Sequence, residues 1–414
     1  MSRSLASTSV SRAAALIGLL MSATAAVAEN WPQFRGPTGL GYSAEKDLPV
    51  KWDVKTGENI AWKTALPLGE SQYASPIVWE DKVFITGVAN TPLRHWVMCF
   101  SLADGKQLWE TEVSPGPLKL TDLRGGYGAP TPCTDGSHVF AVFGSAVLAA
   151  LDFSGKLVWR QEIANHAFDV ALGSSPILYK DTVILNCDQT GKTSSITAWD
   201  KATGAIRWDA KRPETGFGHS TPVVVEVAGK PQMLVSASGA IQGLDPASGN
   251  ILWWCSAQGD AASPAFGGGL VFSDSGRGGR GVCVDPTGSG DVTQTHLKWT
   301  VPQISEGLSS AIIVGDRVWR THGPDILKTF HLKTGEKILN ERLAGISTWA
   351  SPIATADGRI YFASAGKSYV VRAGEPLEVL GSNDTGEDNR SSAAVSNGRI
   401  ILRGDKNLIC IQKK

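Results

Sequence analysis

The chain has 414 residues, with 39 Lys and Arg against 39 Asp and Glu, 42% hydrophobic and 19% charged residues. This composition belongs to a folded globular chain; it excludes disordered and fibrous classes and argues against nucleic-acid binding through bulk charge. Glycine, at 46 residues or about 11%, exceeds the usual ~7% without a three-residue period, so many tight turns and many short strands are expected.

In chain order, Arg3 and Arg12 precede an apolar, small-residue run over 13–25, and Ala26-Val27-Ala28 offers an A-x-A cleavage site, so 1–28 reads as a signal peptide. That run is too short to span a membrane, and no second apolar run of 18 or more residues follows. The expected location is periplasmic or secreted. The first cysteine is Cys99, so a lipoprotein cysteine is not expected. Residues 29–58 read as an N-terminal extension and 59–414 as one repeating domain.

The repeat opens with small residues and usually a proline, and closes with a glycine turn and an aromatic strand, as in DGKQLWE at 104–110 and TGAIRWD at 203–209. Pro76, Pro132, Pro176, Pro222, Pro264, Ala311, Pro352 and Ala393 mark the openings, at intervals of 41 to 56 residues. This is the pitch of a four-stranded propeller blade. The last unit runs out after three strands, whereas NIAWKTAL at 59–66 has the closing pattern with no opening before it. The prediction is an all-β, eight-bladed β-propeller of four-stranded antiparallel blades, its ring closed by the N-terminal strand that completes the last blade. Closure removes two sheet edges that would otherwise pair with other chains.

Trp62, Trp109, Trp159, Trp208, Trp253 and Trp299 occupy one position in six closing strands, with Leu339 and Leu380 or a neighbour standing in for the other two. They are expected to dock on the next blade with the indole N–H on a backbone acceptor, so that Trp208→Ala should cost about 3–5 kcal/mol. Cys99, Cys283 and Cys410 fall where other units have Ala150, Ala198 and Gly243, a slot for a small buried residue, and are read as structural thiols. The roles of Cys133, Cys187 and Cys255 are left open. No C-x-x-C or H-x-x-x-H spacing suggests a metal.

Ala198-Trp199-Asp200 with Thr203, Gly204 and Trp208, and Gly243-Leu244-Asp245 with Gly249 and Trp253, resemble the pyrroloquinoline-quinone-type (PQQ-like) propeller repeat. WPQFRGPTG at 31–39 is similar to the lead-in of secreted bacterial members. The resemblance implies two functional branches: dehydrogenases that hold the quinone and Ca2+ in the funnel above the ring, and non-catalytic propellers that include an outer-membrane assembly lipoprotein. The adjacent-cysteine disulfide and the C-x-x-C-H haem motif found among the dehydrogenases are missing from this sequence. The expected function is therefore an exported non-catalytic scaffold for an envelope protein or a small-molecule or glycan ligand, monomeric, without nucleic acid and without a cofactor. The alternatives are a PQQ- and Ca2+-dependent dehydrogenase oxidising alcohols or sugars, and a glycan-binding or glycan-acting propeller.

In a propeller, the loops between each closing strand and the next opening converge on one mouth of the channel. Those loops carry Gln72 and Tyr73, Arg124 and Tyr127, Asp169, His219, Asp260, Glu306, Trp349, Asp388 and Arg390. They could form a solvated rim or a site for an anionic or sugar-like ligand; no catalytic residue is assigned. Insertions at 88–96, 114–128 and 275–295 break the pitch, and SGRGGRG at 275–281 reads as a flexible surface turn rather than a phosphate loop.

Overall fold

Short strands punctuated by glycine turns fold each repeat into an antiparallel sheet, to which two short segments, Tyr42–Ser43 and Gly290–Asp291, add parallel pairs at an edge. The computed structural model describes Met1 and residues 29–66, 73–120, 126–163, 172–189, 193–387 and 390–414. No helix occurs among the described residues. Eight such sheets form the ring, an eight-bladed β-propeller. The third blade is representative: Ile177–Tyr179, Thr182–Cys187, Ser195–Asp200 and Ile206–Lys211 pair in sequence order. First strands of neighbouring blades touch one another, which places them innermost. In the eighth blade Ile60–Ala65 pairs antiparallel with Asn407–Gln412, joining the two ends of the domain as expected.

A single row of residues crosses every blade and explains the sequence pattern. In the first blade it runs Ile77, Phe84, Cys99, Trp109; in the third, Ile177, Ile184, Ala198, Trp208; in the eighth, Ala394, Ile401, Cys410, Trp62. The slot beside the tryptophan admits only a small side chain, which is why Ala, Gly and Cys alternate there. All six cysteines are buried and free. Burial raises the thiols of Cys99, Cys283 and Cys410 to about 12, so they stay protonated and unreactive.

Trp62, Trp109, Trp159, Trp208 and Trp299 dock on the glycine of the next blade's turn. A Cβ added to Gly155 would lie 2.7 Å from Trp109, and one on Gly204 would lie 2.8 Å from Trp159. Both glycines also have positive φ, 88° and 71°, so the turn and the indole seat demand the same residue. The indole N–H of Trp62, Trp109, Trp159 and Trp299 donates to the backbone carbonyls of Leu102, Phe153, Lys201 and Leu332. The expected backbone acceptor fails for two. Trp253 donates to Gln232 Oε1 at 2.8 Å, and Gln232 in turn reaches the Pro286 carbonyl. The buried Trp208 indole nitrogen has no partner. Trp159→Phe should therefore destabilise by about 1 kcal/mol more than Trp208→Phe, since only the former loses a hydrogen bond. Equal shifts in urea midpoint would show that indole stacking alone matters.

In the seventh blade the docking row ends on Gly381, the neighbour of Leu380, because the backbone of the extension occupies that place: a Cβ on Gly381 would lie 1.9 Å from the Val50 carbonyl. Asn383 fastens this contact, accepting from Trp52 N at 2.9 Å and donating to the Val50 carbonyl at 3.0 Å. The segment read as a flexible turn at 275–281 mostly enters a strand, Arg277–Val284, which pairs with Leu297–Glu306; glycines at 276, 278 and 279 with positive φ bend it without breaking the ladder. The insertion at 88–96 merely lengthens a hairpin between Lys82–Asn90 and Leu93–Ser101.

Residues 29–43 close one end of the channel. Trp31 exchanges two backbone hydrogen bonds with Val78, the Pro32 carbonyl accepts from Thr134 N, and Tyr42–Ser43 pairs parallel with Ala354–Thr355. Arg35 is buried and donates to the carbonyls of Leu40, Pro264 and Ala311. These partners lie on the first strands, or just before them, of blades on several sides of the ring, so the segment crosses the axis as a plug.

Candidate functional site

The opening of each repeat places Ser or Thr immediately before the Pro or Ala that starts the first strand: Ser75, Thr131, Ser175, Thr221, Ser263, Ser310, Ser351 and Ser392. A residue before proline is held extended, so its hydroxyl projects from a fixed backbone. Each hydroxyl accepts the backbone N–H of the equivalent residue in the preceding blade. The bonds run from Ser75 N to Thr131, then onward blade by blade, and return from Ser392 N to Ser75, all at 2.8–3.0 Å. The result is a closed circuit of eight hydrogen bonds around the channel, and every member is buried.

Above this ring opens a funnel of about 820 Å³, with Phe34 of the plug among its lining residues. Of the residues assigned to the mouth from sequence, Tyr73, His219, Asp260, Glu306, Trp349 and Arg390 line it together. Tyr127 does not. It is buried in the core, its hydroxyl accepting from Leu120 N at 2.8 Å and its ring beside His95, because an aromatic ring on that short insertion finds more apolar surface below than at the rim. Gln72, Arg124, Asp169 and Asp388 lie outside the described residues.

The wall has two polar clusters. In the first, Arg390 lies against two aromatic rings, its guanidinium carbon 4.0 Å from the Trp349 centroid and 5.3 Å from that of Tyr73. The rings are themselves 6.2 Å apart. This is a cation–π clamp that orients the guanidinium without neutralising it. In the second, Arg277 Nε lies 2.6 Å from Asp260 Oδ2, while Asp260 Oδ1 is buried without a protein partner. Burial raises the Asp260 carboxyl to about 6, although Arg277 pulls the other way. His219 Nδ1 accepts from Gly173 N at 3.1 Å, so its proton sits on Nε2. Burial and then Arg277 lower His219 to about 4, and it is neutral at pH 7. Gly173 is required there, since a Cβ would lie 2.6 Å from that ring nitrogen.

Sequence reasoning overlooked Arg277, Phe34, Phe217 and the hydroxyl ring. A signal for the ring was present, as Ser or Thr recurs at the same place in all eight openings. Arg277 gave none, since its side chain reaches the funnel only once the glycine-rich segment is a strand.

The donor set of the described residues does not fit a calcium-bound quinone. Ca2+ takes six to eight oxygen ligands, usually several carboxylates. Among the described residues no three His, Cys, Asp or Glu side chains gather to hold a metal. Asp260 is already paired with Arg277.

A sequence model of the family described as outer membrane protein assembly factor BamB matches residues 93–341. The protein of that name from Yersinia pestis is 22% identical over 223 residues, which are 51% of this chain and 53% of that protein. The match thus spans about half the length of this curated relative. Among solved structures, BamB from Moraxella catarrhalis superposes with a TM-score of 0.61 at 17% identity, covering 85% of this chain and 98% of the other. A europium-containing methanol dehydrogenase superposes with a TM-score of 0.68 at 11% identity, covering 92% and 89%. At these identities both structural likenesses speak to the propeller fold alone.

Proposed function

The chain belongs to the family of outer membrane protein assembly factor BamB, and from that membership we propose that it works as an exported, non-catalytic scaffold that binds a protein of the cell envelope through the face carrying the funnel. The observation that carries this reading is the Tyr73–Arg390–Trp349 cluster at the rim. Tyr, Trp and Arg dominate the energetics of protein interfaces because they offer large contact area at small entropic cost. Here Arg390 is exposed and already positioned by its neighbours, which lowers the cost of ordering it on binding. The hydroxyl circuit and the plug keep the face rigid.

The test is in-cell photo-crosslinking from two sites, one at Glu306 on the rim and one at Ile206 on the outer wall. Crosslinks to an envelope protein should arise from Glu306 and disappear in Arg390→Ala. Crosslinks from Ile206 alone would overturn the assignment of the face. The purified chain, incubated with pyrroloquinoline quinone and Ca2+ and offered alcohols or sugars, should reduce no dye above the buffer control. Turnover there would overturn the non-catalytic reading.

A further inference from the structure

The eight ring hydroxyls share an unusual state. Each uses an oxygen lone pair to accept a neighbouring N–H, and no side chain or carbonyl among the described residues accepts its O–H proton in return. All eight line the funnel. A hydroxyl has one proton to donate, so the floor is a circle of donors facing a common space. The wall adds the Nε2–H of neutral His219 and the guanidinium of Arg390.

Acceptors in the same space are few. Among the described residues, Asp260 meets Arg277 through Oδ2 and leaves its buried Oδ1 without a protein partner, and Glu306 stands exposed on the rim. Arg390, by contrast, has aromatic neighbours and no carboxylate partner among the described residues. Among the described residues, this excess of donors beside a cation without a carboxylate partner is the complement of an oxyanion, which presents several lone pairs on a compact charged group. A guanidinium suits it, since its planar fork of N–H donors matches the paired oxygens of a carboxylate or phosphate.

We propose that the funnel is a receptor for an oxyanion headgroup, carboxylate or phosphate, seated over the hydroxyl ring and held by Arg390. The site shares Arg390 with the proposed scaffold face, but its calorimetric test needs no protein partner, so the two readings can fail separately. Binding of a headgroup would also tie neighbouring blades together through their shared hydroxyls.

Calorimetric titration of the purified full chain with N-acetylglycine, its neutral amide and inorganic phosphate tests this. At least one of the two anions should bind, the amide should not, and Arg390→Gln should weaken binding at least ten-fold. Ser351→Ala, which removes one donor, should weaken it several-fold. Stronger binding of N-acetylglycine assigns the site to carboxylates, and stronger binding of phosphate assigns it to phosphoryl groups. Because Arg390 is exposed at the rim, its substitution leaves the core contacts intact, and unchanged melting temperatures confirm folding. No binding of either anion below about 10 mM, or binding indifferent to Arg390→Gln, overturns the proposal.

Discussion

Asp274→Ala is expected to cost about 3–5 kcal/mol, read as a large drop in the urea midpoint at unchanged slope. Arg320 is completely buried, and its Nε and Nη2 reach Asp274 Oδ2 and Oδ1 at 2.7 and 3.0 Å. Asp274 follows the second strand of the fifth blade and Arg320 lies in the second strand of the sixth, so this two-point contact crosses a blade boundary. Removing the carboxylate leaves a guanidinium in the interior with Ser309 Oγ and the carbonyls of Gly307 and Thr321 as its partners. Those neutral acceptors satisfy protons but do not balance the charge, which is why the loss should exceed that of an ordinary hydrogen bond. Asp274 Oδ1 also accepts Gly276 N at 2.8 Å, so the turn that launches the Arg277 strand loosens as well. Arg320→Met together with Asp274→Ala should recover part of the loss, since no unpaired charge then remains. A cost below 1 kcal/mol for Asp274→Ala would mean that the pair contributes little to holding these blades together.

The ring was legible in the sequence because it is written eight times. The tryptophan strand and the glycine turn recur together for one reason, visible at Gly204: the same residue adopts the positive φ and receives the indole of Trp159. Closure was legible because an unpartnered strand at 59–66 and an unfinished unit at the end have a single common solution. The site was less so. Loop residues such as Glu306 and Arg390 could be assigned to the mouth from their place in the repeat, yet place alone does not set depth, and Tyr127 turned inward. Arg35 could not be read at all: its partners Pro264 and Ala311 are more than two hundred residues away, and no local pattern announces a plug. The hydroxyl ring lay between these cases, repeated in sequence but meaningful only once each hydroxyl is seen to meet the preceding blade's amide.

The second large effect is on acid stability. Unfolding should become easier as pH falls from about 6.5 to about 4, and His95→Leu should remove much of that loss. His95 is fully buried, stacked on Phe143 with ring centroids 4.4 Å apart, and neither ring nitrogen has a partner. Burial and then the charge of Arg160 lower it to about 4. The unfolded chain therefore binds a proton near pH 6.5 that the folded chain refuses until about pH 4. Stability from this group is complete above pH 6.5 and drains away below it, by at most about 3 kcal/mol. His219, also lowered to about 4, acts in the same direction. Asp260 opposes them: its carboxyl is raised to about 6, so the fold takes up a proton before the unfolded chain does, and acidification from pH 6 toward 4 relieves the strain of a buried charge. His322, lowered by burial, joins the two histidines, and Asp188, raised by burial, joins Asp260; three histidines against two carboxylates leave a net acid loss. In His95→Leu the apolar replacement also ends the burial of two unsatisfied nitrogens, so the variant should be at least as stable at pH 7 and clearly more stable at pH 4. Thermal melts of both proteins across pH 4–7 decide the matter, and parallel curves would show that His95 is not the group whose protonation drives acid unfolding.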